Sequence, residues 1–84
     1  MYQNQPNPFA ESTSIGFDLA KASEASIVIF DVAGKELQKI KGQFTKGYNT
    51  IIVEAQNLGA SGVLYYQLQT GSELITKKMF LTSK

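Results

Sequence analysis

Ala25-Ser26-Ile27-Val28-Ile29-Phe30-Asp31-Val32-Ala33-Gly34-Lys35-Glu36-Leu37 decides how this chain folds. Its first eight residues are rich in β-branched and aromatic side chains, which suit a pleated surface and crowd a helix. Alternation sends Ala25, Ile27 and Ile29 to one face and Val28 and Phe30 to the other. A strand apolar on both faces lies centrally in a sheet or carries a contact surface; core packing is the simpler account of Val28 and Phe30. Asp31 to Gly34 then supplies turn chemistry, with Gly34 suited to a positive φ. The return strand holds Leu37 and Ile40 among Lys35, Glu36, Lys39 and Lys41. Charge at that density suits an edge strand, because it discourages pairing with other chains.

The same period of two runs outward in both directions. Ile15, Phe17 and Leu19 alternate with Gly16 and Asp18 from Ser14 onward. After a Lys46-Gly47 turn, Tyr48 to Glu54 reads as a strand with Tyr48, Ile51 and Val53 in the core. Asn57 to Gly62 is a loop whose one large apolar residue, Leu58, plugs the bottom of the core. Val63 to Thr70 puts Leu64, Tyr66 and Leu68 on one face. Gly71-Ser72 signals a two-residue hairpin with a primed turn, and Glu73 to Thr82 forms the last strand. Ahead of all this, residues 1–13 are polar and hold both prolines, so they read as a linker and entry turn in which Gln5 and Asn7 are extended and Phe9 caps the core. Residues 14–84 are the folded unit. Six strands, with a seventh near Phe9, predict an all-β, Ig-like antiparallel β-sandwich of about seven strands.

Composition excludes several function classes. Eighty-four residues form one small domain, and 43% apolar content can build a modest core. Lysine and arginine together number eight, all of them lysine, and net charge is +1. Nucleic-acid recognition leans on arginine forks and basic clusters, so no nucleic-acid partner is expected. With no cysteine there is no disulfide framework or thiolate metal site, and with no histidine the commonest general base and metal ligand is missing. The carboxylates are scattered. Asp31 with Glu36, or Glu54 with Asn57, make at most a weak calcium contact, and a solvated turn explains each. Serines lack the strand–turn–helix setting of a nucleophile, and the glycines stand singly at turns. No catalytic, cofactor-binding or metal-binding residue is assigned, and no cofactor is expected. No apolar run reaches the roughly 18–20 residues that span a bilayer. No leader opens the chain; for an exported protein it would belong to a longer parent.

Three stretches, Gln3-Asn4-Gln5-Pro6-Asn7-Pro8-Phe9, Ile15-Gly16-Phe17-Asp18-Leu19 and Ile29 to Glu36, occur in an order that resembles the type IX secretion system C-terminal sorting domain. Gly47-Tyr48-Asn49, Asn57-Leu58 with Ser61-Gly62-Val63, and Gly71 through Lys77-Lys78-Met79 continue the pattern over nearly the whole chain. Each piece alone is common; their order and spacing carry the resemblance. The chain departs from the pattern at Leu64, where tyrosine is frequent, and at Gly59-Ala60, where proline often precedes Ser-Gly.

The resemblance implies a non-catalytic sorting signal carried by secreted or surface proteins of Bacteroidetes-type bacteria. Its partners would be an N-terminal cargo domain, the type IX outer-membrane translocon and a sortase-like protease that removes the signal near its N-terminal boundary. The cargo would pass through the periplasm and end secreted or at the cell surface, attached to a lipopolysaccharide. Recognition residues carried over are Pro6, Asn7, Pro8 and Phe9 (entry motif), Gly34 (hairpin), Ser61, Gly62 and Val63 (turn before the penultimate strand), and Gly71, Lys77 and Lys78 (terminal motif). From the residues alone, Lys77 and Lys78 are gatekeepers against edge pairing, and Pro6 to Phe9 a rigid turn. A structural Ig-like or fibronectin-like spacer beside a secreted enzyme is the alternative function. A carbohydrate-binding module would need a platform of exposed aromatics, and the chain has no tryptophan.

Overall fold

A computed structural model describes residues 1–82. Six strands follow in order: β1 (Ser12–Leu19), β2 (Ser23–Asp31), β3 (Glu36–Phe44), β4 (Gly47–Glu54), β5 (Gly62–Gln69) and β6 (Leu74–Leu81), with one 3-10 turn at Ala55–Asn57. They form two antiparallel sheets, β1-β4 and β3-β2-β5-β6. A seventh, single-residue piece at Phe9 bridges Leu81 in parallel. The expected all-β sandwich is therefore what the chain builds. No helix among the described residues is long and apolar enough to cross a membrane.

The core lies between the sheets and is supplied by alternate residues. Ile15, Phe17 and Leu19 of β1, Ala25, Ile27 and Ile29 of β2, and Leu64, Tyr66 and Leu68 of β5 are all buried. β2 is central and β3 is an edge, as the apolar and charged patterns require. Leu58 is buried beneath the 3-10 turn, where its N–H donates to the Ala55 carbonyl. Val28 is buried as well, whereas Phe30 is half-buried on the outer face and stacks on Tyr65, ring centroids 5.7 Å apart.

Two expectations are corrected. Tyr48 is not in the core; it is 63% exposed, and Ile52 beside it on the same face is 59% exposed. Tyr48 and Ile51 are three apart, and a strand of period two cannot send both inward; Ile51 and Val53 win because they face β1 and the core. The connection between β5 and β6 spans residues 70–73, longer than the expected two residues, and it is not a primed turn, since Gly71 has no positive φ. Instead the Thr70 hydroxyl accepts the N–H groups of Ser72 and Glu73, and Thr70 N–H donates to the Glu73 carbonyl. A side chain does the work that a left-handed glycine would otherwise do.

Ahead of β1, both X-Pro bonds, Gln5–Pro6 and Asn7–Pro8, are cis. The segment runs from one sheet to the other. Gln5 exchanges both backbone hydrogen bonds with Ser14 on the edge of β1, and Phe9 reaches the edge of β6. β1 itself begins at Ser12, two residues before the expected start. One side of the sandwich is thus stitched shut, and the opposite side, where β3 passes to β4, is not.

Candidate functional site

The stitch is built on a buried tyrosine. Tyr66 points inward from β5 and is fully buried, and its hydroxyl donates to the Tyr2 carbonyl while accepting the Asn4 N–H at 2.9 Å. Burial pushes the Tyr66 phenol above the ordinary tyrosine range, with the Asn4 N–H pulling weakly the other way. Asn4 is also buried; its side chain donates to the Pro6 carbonyl and to Thr13 Oγ1, and Gln3 Nε2 donates to its Oδ1. Thr13 in turn donates to the Pro6 carbonyl at 2.9 Å. Every one of these polar groups would be costly to bury alone, and together they satisfy one another.

From that anchor the peptide reaches β6. Phe9 is 2% exposed. Its N–H donates to the Phe80 carbonyl, and its carbonyl accepts the Thr82 N–H at 2.8 Å. Asn7 Oδ1 accepts the Phe80 N–H, and Gln3 Nε2 donates to the Lys78 carbonyl. The outer edge of β6 is therefore covered from Lys78 to Thr82. The outward backbone groups of Leu74 and Thr76 stay open to a further strand, since alternate residues of an antiparallel edge point away from the sheet.

Most of the residues singled out in the sequence gather at this end. Gly62 pairs with Leu81 and Val63 with Phe80, which places Ser61 to Val63 beside Asn7 and Phe9. The β2–β3 hairpin ends here too, because Asp31 pairs with Leu64. Gly34 sits at its tip with φ 86°, and Asp31 Oδ1 accepts the N–H groups of Ala33 and Lys35. A depression of about 210 Å³ opens between Asn7, Val63, Lys78, Met79 and Phe80. Lys78 stands opposite Tyr65 on the outer face, next to the Phe30 stack, and Phe80 is 43% exposed.

The remaining residues do not join this cluster. Gly71 lies at the far end of the sheet, about 25 Å away along an eight-residue strand. Lys77 and Lys78 are not one cationic patch: Lys78 faces outward, whereas Lys77 pairs with Tyr66 on the core side and is half-buried. An inward lysine at an edge is a device against stray pairing. Asn4, Thr13 and the Tyr66 hydroxyl were not among the residues picked out, since a polar side chain gives no periodic signal of burial.

Chemically, this end offers a cation, an aromatic stack and apolar side chains, and the open backbone groups of Leu74 and Thr76 lie beyond it in the other half of β6. Such a set suits contact with another polypeptide. Among the described residues no cluster of histidine, cysteine or carboxylate side chains is arranged to hold a metal ion. No curated protein and no solved structure matches the chain. The model of the secretion system C-terminal sorting domain family matches residues 5–82, from the first bridged residue of the entry peptide to the last residue it holds. By that match this chain belongs to the secretion system C-terminal sorting domain family.

Proposed function

We propose that this domain is a non-catalytic export signal read in its folded form by the type IX outer-membrane translocon. The single observation that carries this reading is the convergence of Asn7, Phe9, Val63, Lys78 and Phe80, distant in sequence, at one end of the sandwich. The reader contacts the Phe30–Tyr65–Lys78 face and Phe80, and adds a strand along the open half of β6, where backbone groups supply affinity and side chains supply selectivity. Pro6 to Phe9 and Ser61 to Val63 hold that surface in shape, and Gly34 and Gly71 act through their turns. The cargo lies N-terminal to the domain and crosses the periplasm before secretion or display at the surface. A sortase-like protease removes the signal by cutting before Tyr2, because a protease needs a pliable segment and the backbone from Tyr2 onward is tied down.

The test is a reporter with a periplasmic leader, fused ahead of this domain in a type IX-competent host. The intact domain carries the reporter to the surface or the medium, and loss of residues 73–84 leaves it in the periplasm. A reporter that stays periplasmic with or without those residues refutes the proposal. Equal export of both forms refutes the role of β6.

A further inference from the structure

The four outermost strands of the two sheets are protected to different degrees. β1 is covered by the entry peptide, through Gln5 on Ser14 and the Tyr2 N–H on the Gly16 carbonyl. β6 is covered from Lys78 onward and carries Lys77 and Lys78. β3 carries Lys39 and Lys41 and pairs across a register shift at Ile29/Phe30. β4 has none of these devices. Its eight residues, Gly47-Tyr48-Asn49-Thr50-Ile51-Ile52-Val53-Glu54, contain no lysine or proline, and its ladder with β1 runs without a shift. A long, regular, β-branched edge without a guard is a template for another strand.

The register says which strand fits. Ser14 and Gly16 turn their backbone groups toward the entry peptide, so the alternation of an antiparallel ladder leaves Thr13, Ile15 and Phe17 to bond Val53, Ile51 and Asn49. Tyr48, Thr50 and Ile52 therefore aim their N–H and C=O groups at the open side. We infer that β4 is a homodimer interface: two copies pair β4 with β4, antiparallel, about a two-fold axis through Thr50. In that register Thr50 lies opposite Thr50 of the second copy, and both outward backbone groups of Tyr48 meet those of Ile52 of the second copy. Their side chains, 63% and 59% exposed in the single chain, cover each other on the outer face. Lys46, just before β4, then lies opposite Glu54 of the second copy, and neither enters an ion pair within the described chain. An isologous contact makes the Thr50 pair once, on the axis, and repeats every other pairing twice. The join turns two two-stranded sheets into one sheet of order β1-β4-β4-β1.

Sedimentation velocity of the 84-residue chain, from about 20 µM to about 1 mM, tests this. The expected mass climbs from 9.2 kDa toward twice that value. Thr50→Pro removes an N–H that the fold does not use, so it gives a monomer at every concentration with an unchanged far-UV circular dichroism spectrum. Lys46→Glu raises the dimer dissociation constant about tenfold, by removing one attraction and adding one repulsion at each end of the interface. Adding Glu54→Lys to it restores the parent value. A parent chain that stays monomeric at about 1 mM overturns the inference, including the case where β4 accepts only a strand from a different protein. A dimer indifferent to Lys46→Glu overturns it as well.

Discussion

Replacing Tyr66 by Phe removes one oxygen from a site that is otherwise unchanged in shape, and the consequence should be large for so small an edit. The Tyr66 hydroxyl satisfies the Asn4 N–H and the Tyr2 carbonyl at once. Asn4 is 1% exposed, so water does not replace the lost acceptor, and an orphaned buried donor costs about 1–3 kcal/mol. Tyr2 is half-exposed, and its carbonyl recovers part of its loss from solvent. The sum is about 2 kcal/mol, which for a domain of this size lowers Tm by about 8–16 °C. Urea unfolding followed by far-UV circular dichroism measures it, with an unchanged dependence on urea as the sign that the unfolded state is the same. Tyr65→Phe is the control, since that ring lies on the outer face and its loss of a hydroxyl should cost under about 0.5 kcal/mol. A Tyr66→Phe loss as small as the control's would mean that the hydroxyl does not hold the entry peptide, and the account of the stitched side would fall.

Three further outcomes follow from the same geometry. Phe9→Ala should lose about 3–5 kcal/mol, the usual cost of emptying a buried aromatic site, and this is most of the stability available to a small domain; the urea midpoint reads it directly. Gly34→Ala should cost about 1–2 kcal/mol. An added Cβ there meets nothing within 4 Å, so the whole penalty is the backbone's φ of 86° and should appear in thermal melts without a change in spectrum. Alkaline stability should follow Tyr66: its folded value is raised, so its contribution is complete below the ordinary phenol value of about 10 and is lost as pH rises through the folded value. Urea midpoints between neutral pH and the alkaline limb should therefore fall less steeply for Tyr66→Phe than for the parent, and equal slopes would contradict this.

Strand identity was legible wherever period two was clean. Ile15-Phe17-Leu19 and Leu64-Tyr66-Leu68 go where alternation puts them, and the lysines of β3 correctly mark an edge. Tyr48 was misplaced because its size invited a core assignment that the parity with Ile51 and Val53 forbids. Gly71 was misjudged because Thr70 supplies a hydroxyl that competes with left-handed glycine as a way to close the turn. At the candidate site, Pro6 to Phe9 and Ser61 to Val63 were visible as separate pieces, but nothing local says that they meet. Their meeting depends on β5 and β6 pairing in a register that brings Val63 to Phe80, and on Asn4 being buried, a property of the Tyr66 hydroxyl some sixty residues away. The two adjacent lysines read as one feature in the sequence and are separated by the pleat.

A signal assembled in this way exists only in the folded chain. Unfolding separates Asn7 from Phe80 by more than seventy residues of chain, so a reader that needs both sees nothing in the unfolded state. It follows from the proposed function that export should track the folded fraction, not the presence of the individual residues. Phe9→Ala and Gly34→Ala then form an informative pair. Phe9 touches the site and Gly34 sits at an exposed hairpin tip, yet both act on export through stability, in proportion to their cost. Lys78→Ala differs, because Lys78 is exposed and its side chain holds nothing together. It should leave the urea midpoint within about 0.5 kcal/mol of the parent and still reduce reporter export. Export unchanged by Lys78→Ala, with the fold intact, would move recognition away from this face and onto the strand edge alone.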